Sequence, residues 1–159
     1  GQLRVHVQRA GEGDIRPGVE EILAAEKSAG LDRFETYLSF AERAQKIKKD
    51  LHEALTAIAK RGERIAGYGA PAKGNTLLGF LEIGPDLLPY IVDRSPLKQG
   101  LFTPGTHIPV VTPERLLTDQ PEYVLLLAWN FAEEVIKQQA QYLSNGGKFM
   151  VPVPEVRLL

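Results

Sequence analysis

Hydrophobic and polar positions alternate with a period of two at the start of the chain and with a helical period soon after. Residues 3–8 read LRVHVQ, in which every second residue is apolar. This period predicts a strand with one buried face. Residues 17–29 place apolar side chains three and four positions apart, which predicts a helix that begins at Pro17 and ends before Gly30.

A second, longer helix is predicted over residues 32–61. Its apolar residues keep steps of three and four from Phe34 to Ile58. Asp32 and Glu35 have the spacing of a capping box at its start. A helix of this length exceeds what is needed to cover a small sheet, so it is also a candidate strut between domains.

The rest of the chain alternates short apolar runs with helical patterns. Predicted strands lie at 64–68, 88–93, 122–129 and 148–153, and predicted helices at 72–83, 113–117 and 131–143. Continuous apolar strands separated by helices predict a parallel sheet covered on both faces. The fold class is therefore α/β, Rossmann-like, preceded by a strand and two helices. We expect two regions, a lead-in at 1–62 packed on a Rossmann-like domain at 63–159.

Composition and charge exclude several classes of function. The net charge is −1 with no basic stripe, which argues against a nucleic-acid partner. The longest apolar run is too short to span a bilayer and residues 1–15 lack a signal-peptide pattern, so we expect no membrane association and a cytoplasmic location. There is no cysteine, and the three histidines are isolated, so no metal site is predicted.

The stretch GYGAPAKGN, residues 67–75, lies at the first strand-to-helix turn of the predicted sheet. Unpaired N–H groups at a helix start and the helix dipole stabilise an anion, and Lys73 adds a positive charge. Gly67, Gly69 and Gly74 do not have the spacing of the dinucleotide pattern, and residues 69–76 have the spacing of a P-loop but with Asn75 in place of its lysine, so ATP hydrolysis is not expected. A tight turn without ligand remains the alternative.

Two further groups of polar or aromatic residues follow the next strands. DRSPLKQG, residues 93–100, supplies charged side chains, and Trp129 and Asn130 follow the third strand, where Asn130 is a candidate helix cap. Trp129 is either a core residue or a stacking surface. No group of catalytic side chains can be identified, so no catalytic residue is predicted. The predicted substrate-binding residues are Gly67, Tyr68, Gly69, Ala70, Pro71, Lys73, Gly74, Asn75, Thr76, Asp93, Arg94, Ser95, Lys98, Trp129 and Asn130.

Five ordered motifs together resemble one family. GYGAPAKGNTLL, VDRSPLKQG, PGTHIPV, LLLAWNF and GGKFMVPVPEV resemble the C-terminal domain of the S-adenosylmethionine-dependent sugar C-methyltransferases, and the opening GQLRVHV extends the resemblance over essentially the whole chain. The resemblance implies an enzyme that methylates a carbon of a nucleotide-linked deoxysugar, typically a thymidine diphosphate 4-keto sugar.

The same resemblance implies that this chain is the C-terminal part of a larger enzyme. The other domains of the polypeptide would bind zinc and S-adenosylmethionine and contain the catalytic base, so neither cofactor is expected in this chain. This domain would bind and position the sugar nucleotide, and alone it would be inactive.

Two alternatives from other classes remain. Asp93 lies 24 residues after Gly69, at the position of a ribose-binding acid, which favours an NAD(P)-binding domain of an oxidoreductase or regulator. The second alternative is a structural domain that braces its neighbours through the long helix and binds no nucleotide.

Overall fold

A computed structural model describes residues 3–159, which form two compact units. The first extends to Arg43 and the second is Ala44–Leu159. The domain division predicted after residue 62 stays a prediction. The helices are α1 (Pro17–Ser28), α2 (Phe34–Lys60), α3 (Ala72–Leu81), α4 (Arg115–Asp119), α5 (Ala132–Gln138) and α6 (Ala140–Ser144). The strands are β1 (Ile65–Tyr68), β2 (Ile91–Val92), β3 (Val110–Val111), β4 (Tyr123–Leu126), β5 (Lys148–Val151) and β6 (Arg157–Leu158).

The strands form one sheet in the order β3-β2-β1-β4-β5-β6. All neighbours are parallel except β6, which runs antiparallel to β5. The chain moves outward from β1 to β3 and then crosses to the other side of β1 to form β4. The order therefore reverses between β1 and β4, where Gly67 is paired with Leu125. Ligands of open α/β sheets bind beyond the carboxyl ends of strands at such a point.

Helices cover both faces of the sheet, as the α/β prediction requires. One core cluster combines the sheet with α2 and α3, through residues such as Leu51, Leu55 and Leu78. The other combines it with α4, α5 and α6, through residues that include Tyr142 and Phe149. The four strands β1, β2, β4 and β5 confirm the predicted alternation, and the two-residue strands β3 and β6 are additions that the sequence pattern did not predict.

The predicted strand at residues 3–8 is wrong. This segment is irregular, and the side chains of Leu3, Val5 and Val7 are exposed. An alternating pattern becomes a strand only where a partner supplies hydrogen bonds and a surface to pack on. The described part of the segment pairs with no strand, so the apolar alternation remains unburied.

Three local predictions also change. The long helix begins at Phe34, so Asp32 is not its cap, and the hydroxyl of Thr36 donates to the carbonyl of Gly30 in the preceding turn at 2.7 Å. The helix predicted at 131–143 is interrupted at Gln139 and forms α5 and α6. Asn130 is not a cap, because it lies inside a 3₁₀ turn that separates β4 from α5.

Candidate functional site

The loop after β1 is shaped by glycine and fits closely between neighbouring strands. Gly69 has φ +83°, in the left-handed region that other residues rarely adopt, and its N–H donates to the carbonyl of Val92 at 2.7 Å. A Cβ on Gly69 would lie 2.8 Å from the Cβ of Ala128. The conformation and the space therefore both require glycine here, which explains part of the glycine pattern without a ligand.

Helix α3 starts beside the end of β4 with unpaired N–H groups. Pro71 precedes the helix in extended conformation, with ψ 160°. The first helical hydrogen bond runs from the N–H of Asn75 to the carbonyl of Pro71, and the N–H groups of residues 72–74 donate to no partner among the described residues. A Cβ on Gly74 would lie 2.9 Å from that of Leu127, so this glycine allows close packing of α3 on the strand end.

Lys73 brings the β1 loop and the β4 loop together. Its ammonium nitrogen lies 4.7 Å from the ring centre of Trp129 and 5.8 Å from that of Phe131. Both distances are within the range of a cation–π contact. Burial lowers the pKa of Lys73. Trp129 also packs against the core, and Phe131 is a neighbour of Lys73 that the sequence analysis did not select.

Asp93 holds the glycine loop in place. Its carboxylate accepts hydrogen bonds from the N–H of Ala70 at 2.7 Å, the N–H of Ser95 at 2.8 Å and the ammonium of Lys98 at 3.2 Å. Lys98 also donates to the carbonyl of Ala70 at 3.0 Å. Burial alone would raise the pKa of Asp93, but these hydrogen bonds and the lysine charge lower it below its ordinary value.

The position of Asp93 bears on the dinucleotide alternative. A ribose-binding acid must keep carboxylate oxygens available for the two hydroxyl groups of the sugar. Asp93 is buried and already accepts from three donors, which include the backbone of the loop itself. The carboxylate oxygens of Asp93 are therefore used to hold the loop and are not available to bind a ribose, which weakens the NAD(P) alternative.

The remaining predicted residues lie around this centre in different environments. Asn75 has a buried side-chain oxygen without a hydrogen-bond partner. Thr76 donates its hydroxyl to the carbonyl of Ala72 within α3, and Asn130 is exposed. Arg94 extends toward α5, where it donates to the side-chain oxygen of Gln138 at 2.9 Å, and so it is not assembled with the β1 loop.

A cavity of about 500 Å³ lies beside the loop, beyond the ends of β2 and β3. Its lining residues are Arg94, Gln99, Thr112, Pro113, Glu114, Gln138 and Gln139. Only Arg94 was among the predicted site residues. Gln99 lies in the 93–100 loop but was not selected there, residues 112–114 follow the unpredicted strand β3, and Gln138 and Gln139 lie where the predicted continuous helix is interrupted. Assigning Val110 and Val111 to a strand would have indicated residues 112–114, because they follow its carboxyl end.

Residues 3–159 contain neither a membrane-spanning helix nor a cluster of metal-ligating side chains. No helix in this part of the chain is long and apolar enough to cross a membrane. No group of three or more histidine, cysteine, aspartate or glutamate side chains is arranged to hold a metal ion there.

The chain belongs to the C-methyltransferase C-terminal domain family, whose model matches residues 1–154. It is 40% identical over 150 residues to the C-methyltransferase NovU of Streptomyces niveus, an alignment that covers 94% of this chain and 36% of that protein. The chain thus spans about a third of the length of this relative. It is also similar to the crystal structure of UDP-D-quinovosamine 4-dehydrogenase from Vibrio fischeri, with a TM-score of 0.41, 19% identity and coverage of 58% of this chain and 79% of that one.

Proposed function

We propose that this C-methyltransferase C-terminal domain binds and positions a nucleotide-linked keto-deoxysugar, with thymidine diphosphate as the nucleotide part, for methylation that depends on S-adenosylmethionine. The observation on which the proposal rests is the convergence of Lys73 and the unpaired N–H groups of residues 72–74 at the point where strand order reverses. A diphosphate is the part of such a substrate that these groups would bind.

The electrostatics of the α3 terminus favour an anion. The three N–H groups lie at the positive end of a ten-residue helix, and the ammonium of Lys73 is held nearby. The carboxylate of Asp93 accepts from the N–H of Ala70 in the same loop, and its charge is paired with Lys98 at 3.2 Å. A bound diphosphate would therefore meet donors and a cation before it meets a carboxylate.

Trp129 gives this proposal a built-in reporter. It is the only tryptophan of the chain, and the ammonium of Lys73 lies over its ring. A diphosphate attracts an ammonium more strongly than an aromatic face does, because the ligand carries full negative charge. Ligand binding at α3 is expected to draw Lys73 off the indole and to change the fluorescence of Trp129.

The contribution to the reaction would be positioning. A sugar fixed through its diphosphate reacts with its neighbours as if at high effective concentration, without any catalytic residue in this domain. The methyl donor, the zinc ion and the catalytic base are proposed to belong to other parts of the polypeptide.

The remaining domains of the same polypeptide are the proposed protein partner. The relative from Streptomyces niveus is considerably longer than the matched region. Phe34, Tyr37 and Phe40 are more than half exposed in this chain, at 70%, 53% and 63%. Large aromatic side chains left in water in this number are typical of a surface that another domain covers.

The test is a titration of the chain with thymidine diphosphate, with NAD and S-adenosylmethionine as comparison ligands, followed by Trp129 fluorescence and calorimetry. Thymidine diphosphate is expected to bind more tightly than either. Lys73→Ala should weaken that binding roughly tenfold or more, since a charged hydrogen bond is lost, and leave the melting temperature nearly unchanged.

Lys60→Ala is the matched control. Lys60 is exposed at the end of α2, shortly before β1. It therefore lies near the amino end of β1, whereas the β1 loop follows its carboxyl end. It should bind thymidine diphosphate like the original chain. Equal affinity of the Lys73→Ala and Lys60→Ala variants would contradict the phosphate role, and tighter binding of NAD would favour the oxidoreductase alternative.

A further inference from the structure

The cavity beyond β2 and β3 is connected to the β1 loop through direct contacts. Arg94 follows Asp93, whose carboxylate accepts from the N–H of Ala70. Gln99 donates its side-chain amide to the carbonyl of Asp93 at 2.9 Å. The side-chain amide of Gln139 lies 3.4 Å from the hydroxyl of Tyr68, the last residue of β1. A ligand anchored at the loop therefore has the cavity as its neighbour on the β2 side.

The cavity has hydrogen-bonding capacity that the protein does not use. Gln138 is committed at both ends, to Arg94 and to Glu134. The side-chain oxygens of Gln99 and Gln139, in contrast, accept no hydrogen bond from the described residues. Each of these amides has a donor and an acceptor side by side, which suits a flat heterocycle with polar edges.

The cavity lining carries one positive and one negative side chain, so its net charge does not favour an anion. Its only charged lining side chains are Arg94 and Glu114. Hydrogen bonds from the Thr112 hydroxyl and from the N–H of Glu114 itself lower the pKa of Glu114, which keeps this carboxylate ionised. Arg94 is engaged by Gln138 and Glu134, and the Glu114 carboxylate repels a phosphate, so the α3 terminus suits the diphosphate better than the cavity does.

We propose that this cavity is the nucleoside subsite, in which the base of a nucleoside diphosphate is bound by the side-chain amides of Gln99 and Gln139 and packs against the ring of Pro113. The proposal rests on the function proposed above, with the diphosphate at α3. The size is adequate, because about 500 Å³ lies within the ordinary range for small-molecule sites. The keto-sugar end of the ligand would then leave the domain on the other side of the loop.

The first test uses thymidine, which has no phosphate, on the ¹⁵N-labelled chain. Because only a few neutral hydrogen bonds form, we expect thymidine to bind with a dissociation constant of about 1 mM. At that concentration it should shift the side-chain amide signals of Gln99 and Gln139 in the NMR spectrum. Inorganic pyrophosphate should instead shift the backbone N–H signals of residues 72–74. Thymidine shifts confined to residues outside the cavity would overturn the proposal.

The second test separates the subsite from the phosphate site by substitution. Gln139→Met keeps the length of the side chain and removes its hydrogen bonds, and Gln141→Met, at an exposed position of α6, is the control. Gln139→Met should weaken thymidine diphosphate binding about three- to tenfold and leave pyrophosphate binding unchanged. The control should change neither.

The two proposals fail in different ways. If Lys73→Ala weakens thymidine diphosphate binding but Gln139→Met binds it like the control, the phosphate site stands and the nucleoside subsite is wrong. If Gln139→Met weakens binding but Lys73→Ala does not, the subsite stands and the phosphate role of the loop is wrong. Absence of binding by every nucleotide overturns both.

Discussion

The described residues up to Arg43 and the unit from Ala44 onward have similar amphipathic patterns but opposite burial. In residues 3–43 only Gly30 is buried, and the apolar stripe of α1, with Val19, Ile22 and Leu23, is exposed. In the second unit Leu51, which continues the apolar spacing of α2, is completely buried. The difference shows that an amphipathic pattern specifies which face of a helix is suited to burial and not whether anything covers it.

Side-chain hydrogen bonds follow the same division. In residues 3–43 they are two local contacts, from Thr36 to Gly30 and from Tyr37 to Leu31, each between residues six positions apart. In the second unit they join residues as distant as Tyr68 and Gln139, which are 71 positions apart. Long-range contacts accumulate only where elements share a core, so we expect substitutions in the two units to differ in their cost.

The largest difference is expected between two leucines of the same helix. Leu55 is 1% exposed and Leu38 is 48% exposed. Leu55→Ala removes buried methyl groups and leaves a cavity, and we expect it to lower the free energy of unfolding by about 2–5 kcal/mol. Leu38→Ala should lower it by less than about 1 kcal/mol, as is usual for exposed positions. Urea denaturation followed by Trp129 fluorescence measures both, and similar losses would contradict the division.

The next effect compares two glycines with the same backbone conformation. Gly69 and Gly11 have φ +83° and +84°, but a Cβ would contact Ala128 at 2.8 Å from Gly69 and nothing within 4 Å from Gly11. Gly69→Ala combines strain and overlap, so we expect a loss of about 2–4 kcal/mol. Gly11→Ala has only the conformational term, about 1 kcal/mol. Calorimetric unfolding distinguishes them, and equal melting temperatures would show that the loop relaxes freely.

The smallest expected effect is a pH dependence that belongs to Asp93. Because its folded-state pKa is below the ordinary value of 3.8, the ionised carboxylate stabilises the fold above that pH, and this contribution is lost as pH falls toward the folded pKa. Asp93→Asn does not titrate, so it should be less stable than the original chain by about 1–3 kcal/mol at pH 6.

The measured quantity is the difference in free energy of unfolding between the original chain and Asp93→Asn. It should narrow as pH falls from about 5 to about 2, since only the original chain loses a titrating contribution. Urea denaturation of both chains at several pH values tests this. A gap that stays constant over that range would mean that the carboxylate charge does not hold the β1 loop.

Prediction from sequence succeeded where local chemistry and core packing agree. The four main strands and the helices between them are near their predicted places, because their apolar runs face a core on both sides. Lys73 and Trp129 were both selected and do meet, since each follows the carboxyl end of a strand in the same sheet. The strand at residues 3–8 failed because a strand needs a partner that no pattern within it specifies.

The site shows the same limit. Asp93 was selected for its position after β2, but its hydrogen bonds to Ala70 and Lys98 assign it to holding the loop, and Ala70 lies 23 positions away on another loop. Of the cavity residues only Arg94 was selected, because the others become neighbours only when the 93–100 loop, the segment after β3 and the α5–α6 break are brought together in the fold.

The sequence by itself determined the alternation of strands and helices, the glycine turn at residues 67–75 and the family resemblance, because each depends on residues that are close along the chain. The tertiary structure decided which apolar faces are buried, that Asp93 holds the loop and that a cavity opens beside it. Those features depend on contacts between residues far apart in sequence, whose free energy exists only once the sheet has brought them together.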